Sequence, residues 1–159
     1  MKNIKFILTL LISIIALTRV AHAAECPDYT GTYQMLDERN HTNTALSINQ
    51  NQCLDMDAGY IFTQGFSVSR HIFFDNQKHM VFQSTEMSTE ETSFINQNGI
   101  TINSIDTYKR ENKKYLSQTQ MTLDENKNLI EKIDHFNEDG NIRFTEINIY
   151  LRQANTKSI

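Results

Sequence analysis

From residue 30 onward, short runs rich in Ile, Phe, Tyr and Thr alternate with clusters of Asn, Asp, Lys and Gly, and no helical period lasts three turns. The clearest clusters are Asp75-Asn76-Gln77-Lys78, Asn96-Gln97-Asn98-Gly99, the run 124–128 and the run 137–141. Asn and Asp tolerate left-handed backbone and bond their own main chain, while Gly meets no Cβ penalty there. Asn98-Gly99 is a hairpin signal. Between the clusters the pattern predicts strands over 30–36, 44–50, 52–57, 66–74, 79–85, 92–96, 100–108, 114–123, 129–136 and 142–152. Eight to ten short strands joined by tight turns predict an all-β fold, a single antiparallel meander forming a barrel or a sandwich.

The last three predicted strands carry enough pattern to set a register. A symmetric 124–128 loop places Leu123 opposite Leu129, Met121 opposite Glu131, Thr119 opposite Ile133 and Ser117 opposite His135. A symmetric 137–141 loop places Ile133 opposite Thr145, Glu131 opposite Ile147, Leu129 opposite Ile149 and Lys132 opposite Glu146. One face then gathers Leu123, Met121, Leu129, Ile133, Ile147, Ile149, Leu151 and Tyr115, and the other gathers polar side chains. Such a division is what a half-buried antiparallel sheet requires.

Composition changes the picture at the N-terminus. Lys2 and Lys5 precede an apolar run, Phe6 to Leu17, and Ala21-His22-Ala23 places small residues where a signal peptidase cuts. As a helix that run measures about 18 Å, too short for a ~30 Å hydrocarbon core. Residues 1–23 are therefore expected to be a cleaved signal peptide, and 24–159 a single exported β-barrel domain; the Asn, Ile and Lys bias points to a bacterial host. The leader holds 15 of the roughly 62 apolar residues, leaving about 35% in the rest, a modest core. It also holds three of the 15 basic residues and none of the 19 acids, so the mature chain carries 12 against 19, a charge of -7. That charge repels phosphate backbones and anionic lipid, which argues against nucleic-acid binding. In an oxidising compartment Cys26 and Cys53 are expected to form a disulfide, whose ~28-residue loop is worth roughly 3 kcal/mol.

Gly31-Thr32-Tyr33 near the start and Arg152 at the end of the last strand resemble the lipocalin and calycin barrels, which open on Gly-x-Trp and close on a basic residue over that aromatic. Tyr33 stands where those families carry Trp. The stretches 26–33 and 48–53 also look like small exported bacterial proteins. The resemblance implies a barrel with a ligand cavity and carries no activity.

The residues offer little catalytic or metal chemistry. The four His of the mature chain form no H-x-H or H-E-x-x-H pattern, so no metal and no cofactor is expected. Pairing across the 75–78 turn would put His71 and His79 on opposite faces. No G-x-S-x-G elbow or phosphate-binding Gly loop occurs, and Ser117 opposite His135 lacks a third member. Glu90-Glu91 reads as solvated surface. Polar residues turned inward are more telling: Glu131 between apolar neighbours, with His135 facing Arg143 near the sheet's end, reads either as a structural ion pair at a water-filled mouth or as the polar anchor of a pocket that Tyr115 helps to line. Tyr60-Ile61-Phe62, Phe66 and Phe73-Phe74 read as core, and Asn40-His41-Thr42 formally matches a glycosylation acceptor. The expected function is a monomeric, non-enzymatic barrel binding a small apolar or amphipathic ligand through Glu131, His135, Arg143 and Tyr115. The alternative is a periplasmic or secreted protein-binding module, an inhibitor or envelope interaction protein suited to a basic partner.

Overall fold

A computed structural model describes residues 26–36, 44–61 and 67–154. The predicted leader, Asn40-His41-Thr42, Phe62 and Phe66 lie outside those residues. Ten strands follow one another: β1 (Gly31–Met35), β2 (Ala45–Asn51), β3 (Asp55–Ile61), β4 (Ser67–Phe73), β5 (Lys78–Gln83), β6 (Met87–Asn96), β7 (Gly99–Tyr108), β8 (Lys113–Leu123), β9 (Leu129–Phe136) and β10 (Ile142–Arg152). They form one antiparallel sheet in the order β4-β3-β2-β1-β10-β9-β8-β7-β6-β5, so the first and last strands pair. The sheet is all-β, with no helix among the described residues.

The ends of the sheet, β4 and β5, meet without a ladder. Side chains join them instead. The His79 ring stacks on Phe73 at 4.8 Å, and Ser93 Oγ donates to the Phe73 carbonyl at 2.7 Å. Arg70 on β4 forms an ion pair with Glu91 on β6. The hairpin pairing expected across the 75–78 turn is therefore corrected: that turn crosses a seam between the two ends of the sheet.

Local chemistry sets the turns. Asp124 Oδ1 accepts from the amides of Asn126 and Asn128, each at 2.8 Å, while Lys127 takes a positive φ of 61°. Asn137 Oδ1 accepts from Asp139 N at 3.1 Å and Asn141 N at 2.9 Å. The β6–β7 hairpin forms where expected, but its two loop residues are Gln97 and Asn98, and Gly99 opens β7 with a φ of +124°. Strand β3 begins later than expected because Gln52 and Cys53, both at positive φ, turn the chain after β2. Strand β6 begins earlier, at Met87, so Glu90-Glu91 sits in a strand and Glu91 is buried rather than solvated.

Between β8 and β9 the register is the predicted one, Leu123–Leu129 through Ser117–His135. Between β9 and β10 it is not. Ile142 does oppose Phe136, as a symmetric loop demands, but the next pair is Phe144 with His135, so Arg143 is an extra residue in a bulge. From there every pairing shifts by one and the faces of β10 exchange. Leu129 opposes Tyr150, Glu131 opposes Asn148, and Lys132 opposes Ile147 instead of Glu146. Ile133 and Ile147 thus lie on opposite sides of the sheet, and Ile147, Ile149 and Leu151 face outward. Replacing Ile147, 64% exposed, by Ser is expected to change stability by less than about 0.5 kcal/mol in urea unfolding. A loss of about 2 kcal/mol or more would restore Ile147 to the interior.

The core fills one end of the barrel. Residues 26–30 cross beneath it, held to the β2–β3 turn by the Cys26–Cys53 disulfide. Tyr29 and Tyr33 are fully buried there among Leu46, Met56, Ile100 and Leu129. Tyr29 Oη donates to the Met121 carbonyl at 2.9 Å, and Tyr33 Oη to the Tyr29 carbonyl at 2.7 Å. Arg152 lies over the Tyr33 ring, 5.8 Å from its centre, and donates to the Thr30 carbonyl at 2.5 Å.

Candidate functional site

Inward-facing side chains change in exposure along each strand of the β7–β10 wall. On β10 Tyr150 is buried, Asn148 half-buried, and Glu146 and Phe144 exposed. On β9 Leu129 and Glu131 are buried while Ile133 and His135 are half-buried, and on β8 the sequence runs from Met121 through Thr119 and Ser117 to Tyr115, 45% exposed. Strand β7 repeats it from Ile100 to Tyr108. Side chains that the pleat directs inward yet leave accessible mark an interior filled at the core end and open at the other.

The boundary between the filled and open halves is polar. Glu131 is 6% exposed, and its Oε2 accepts from Asn148 Nδ2 at 3.0 Å and Tyr150 Oη at 3.2 Å. Tyr60 on β3 stands close to Glu131 and Tyr150, near enough for the Glu131 charge and Tyr150 to act on its hydroxyl. Burial, with the Glu131 charge adding to it, pushes Tyr60 up to about 12 and raises Tyr150 as well. Both stay protonated, so Tyr150 remains a donor to Glu131 Oε2.

Three further polar pairs line the interior. Arg70 meets Glu91, which also accepts from Ser104 Oγ at 3.2 Å. Asp106 accepts from Thr89 Oγ1 at 2.6 Å. His135 Nε2 lies 3.3 Å from Glu146 Oε1, its ring stacked on Phe144 at 4.2 Å. The seam between β4 and β5 holds a cavity of about 620 Å³ lined by Arg70, Phe73, His79, Phe82, Thr89 and Glu91. No group of three potential metal ligands occurs among the described residues.

Of the predicted site residues, Glu131 and His135 share the inner face of β9, four residues or about 13 Å apart. Tyr115 faces inward near the rim, edge-on to Tyr108 at 5.4 Å. Arg143 does not oppose His135: it is the exposed bulge residue, and Phe144 takes the place expected of it. Sequence reasoning missed Arg70, Glu91, Asn148 and Tyr150, while Tyr60, read as core, does pack against the core. The alternation Val68, Arg70, Ile72 on β4 would have found Arg70, whereas Asn148 and Tyr150 were hidden by the bulge.

The fold has counterparts among solved structures. A mutant of the fluorescent protein UnaG, with one asparagine replaced by alanine, aligns with a TM-score of 0.52 at 10% identity, covering 79% of this chain and 96% of that one. Secretory abundant heat soluble protein 4 from Ramazzottius varieornatus aligns with a TM-score of 0.52 at 9% identity, covering 79% and 95%. A second UnaG mutant, with glutamine in place of the same asparagine, gives 0.51 at 10%, covering 77% and 94%. At these identities the likeness establishes a calycin-like β-barrel fold alone. No protein-family model matches the chain, and no curated protein does.

Proposed function

We propose that residues 24–159 are an exported β-barrel, released from the leader 1–23, that holds a small apolar or amphipathic ligand in its open half. The inward-facing gradient on β7–β10 carries this reading: Ile133, Phe144, Tyr115 and Tyr108 stand among Thr119, Ser117, Ser104 and His135 above a buried polar floor, so the accessible interior offers both apolar and polar contacts. The Cys26–Cys53 bridge agrees with an oxidising destination. No helix among the described residues is long and apolar enough to cross a membrane. The floor is Glu131 with Tyr150, Asn148 and Tyr60, while Tyr115 and His135 stand toward the rim. Arg143, exposed on its bulge, has no part in the ligand set.

The uncharged probe N-phenyl-1-naphthylamine tests the reading. Saturable one-to-one binding is expected, and Ser117→Phe, which fills the open half without touching the core, should weaken it roughly tenfold with an unchanged circular dichroism spectrum. Absence of binding, or equal binding by a folded Ser117→Phe variant, would refute it.

A second reading, a protein-binding module, is favoured by the outward apolar stripe of Ile147, Ile149 and Leu151 on β10. A basic lysozyme co-eluting with the native chain but not with an Ile147→Ser, Ile149→Ser variant would support it. No co-elution would remove that partner.

A further inference from the structure

The charges inside the barrel narrow the kind of amphiphile it can hold. Among the described residues four carboxylates face inward: Glu91, Asp106, Glu131 and Glu146. Arg70 answers Glu91, and His135 Nε2 lies 3.3 Å from Glu146. Asp106 and Glu131 have neutral donors only: Thr89 for the first, Asn148 and Tyr150 for the second. Arg152 is inward too, but it is occupied at the closed end by Tyr33 and the Thr30 carbonyl.

Glu131 is the decisive case. Its donors converge on Oε2, and among the described residues Oε1 receives no hydrogen bond and the carboxylate no ion pair. Tyr60 and Tyr150, raised by burial, have no charge to offer. A carboxylate buried without a counter-charge is a natural seat for a cationic partner, which satisfies its free oxygen and its charge together. Above it lie Ile133 and, nearer the mouth, Phe144 and Tyr115, hydrocarbon contacts set among Thr119, Ser117 and His135. Asp106, half-buried on β7, adds negative potential along the way.

Resting on the ligand-binding reading, we propose that the ligand is an amphiphile whose polar end is a protonated amine seated on Glu131 Oε1, with its hydrocarbon directed toward the open end. An ammonium supplies up to three donors and the missing charge, whereas a carboxylate or phosphate head would meet two uncompensated acids.

Calorimetric titration of the native chain with octylammonium, octanoate and 1-octanol separates the possibilities. Octylammonium is expected to bind about tenfold more tightly than octanoate, Glu131→Gln to reduce octylammonium affinity about tenfold, and 1-octanol to change less than twofold. Glu125→Gln, an exposed control, should change nothing. Octanoate binding as tightly as octylammonium overturns the proposal, and so does unaltered octylammonium affinity in Glu131→Gln. In either case binding of 1-octanol would leave the barrel a receptor for neutral amphiphiles. If none of the three binds and N-phenyl-1-naphthylamine does not either, the ligand-binding reading falls with it. Should Glu131→Gln fail to fold, the ranking of the three head groups on the native chain decides.

Discussion

Replacing Gly99 by alanine is expected to remove about 4 kcal/mol of stability, a severe loss for one methyl group. Gly99 takes a φ of +124°, outside the region that L side chains occupy, at the first residue of β7. An added Cβ would stand 2.3 Å from the Met121 carbonyl oxygen, and 3.1 Å from both the Tyr29 hydroxyl and Thr122 Cγ2. The carbonyl is backbone held in the β7–β8 ladder and cannot swing away, and it is the acceptor for Tyr29. The methyl group therefore strains the turn and pushes on the hydrogen bond that seats the N-terminal segment. Urea unfolding followed by circular dichroism should show the midpoint falling with the slope unchanged. A loss under about 1 kcal/mol would mean that the hairpin relaxes at little cost and that Gly99 is not locked as described.

Changing both Cys26 and Cys53 to Ser is expected to cost about 3 kcal/mol, or roughly 10 °C in melting temperature. The bridge joins residues 27 apart in sequence, so most of the loss comes from freeing that loop in the unfolded chain. A native-state contribution follows from what the bridge holds. Beside it Gln50 Oε1 accepts from Tyr29 N at 2.8 Å, and Tyr29 closes the core end of the barrel. Reduction of the native chain with dithiothreitol should lower the melting temperature to that of the double variant. An unchanged melt would show that the segment 26–30 is held by Tyr29, Gln50 and Arg152 alone.

Most of the architecture was legible in the sequence because its turns announce themselves. Asp124, Asn137 and Gly99 each supply a hydrogen bond or a backbone angle that few residues provide, and ten strands fall between such positions. The β8–β9 register followed from one loop and alternation alone. The β9–β10 register failed although its loop was read correctly, since nothing in Ile142-Arg143-Phe144 announces a bulge. Apolar alternation was also a misleading guide on β10, where Ile147, Ile149 and Leu151 favour strand formation through their β propensity and shape without being buried. Glu131 was placed inward on the strength of β8 and β9, and it faces inward; its donors, one strand further on, could not be named until the bulge was known. Arg70 and Glu91 join β4 to β6 across the seam, a contact that hairpin logic does not reach.

The bulge at Arg143 has a consequence for how such a molecule could arise. Excising that one residue would restore strict alternation, turning Ile147 and Ile149 toward the middle and sending Asn148 and Tyr150 to the exterior. The middle would then be packed with hydrocarbon and its acid would lose both donors.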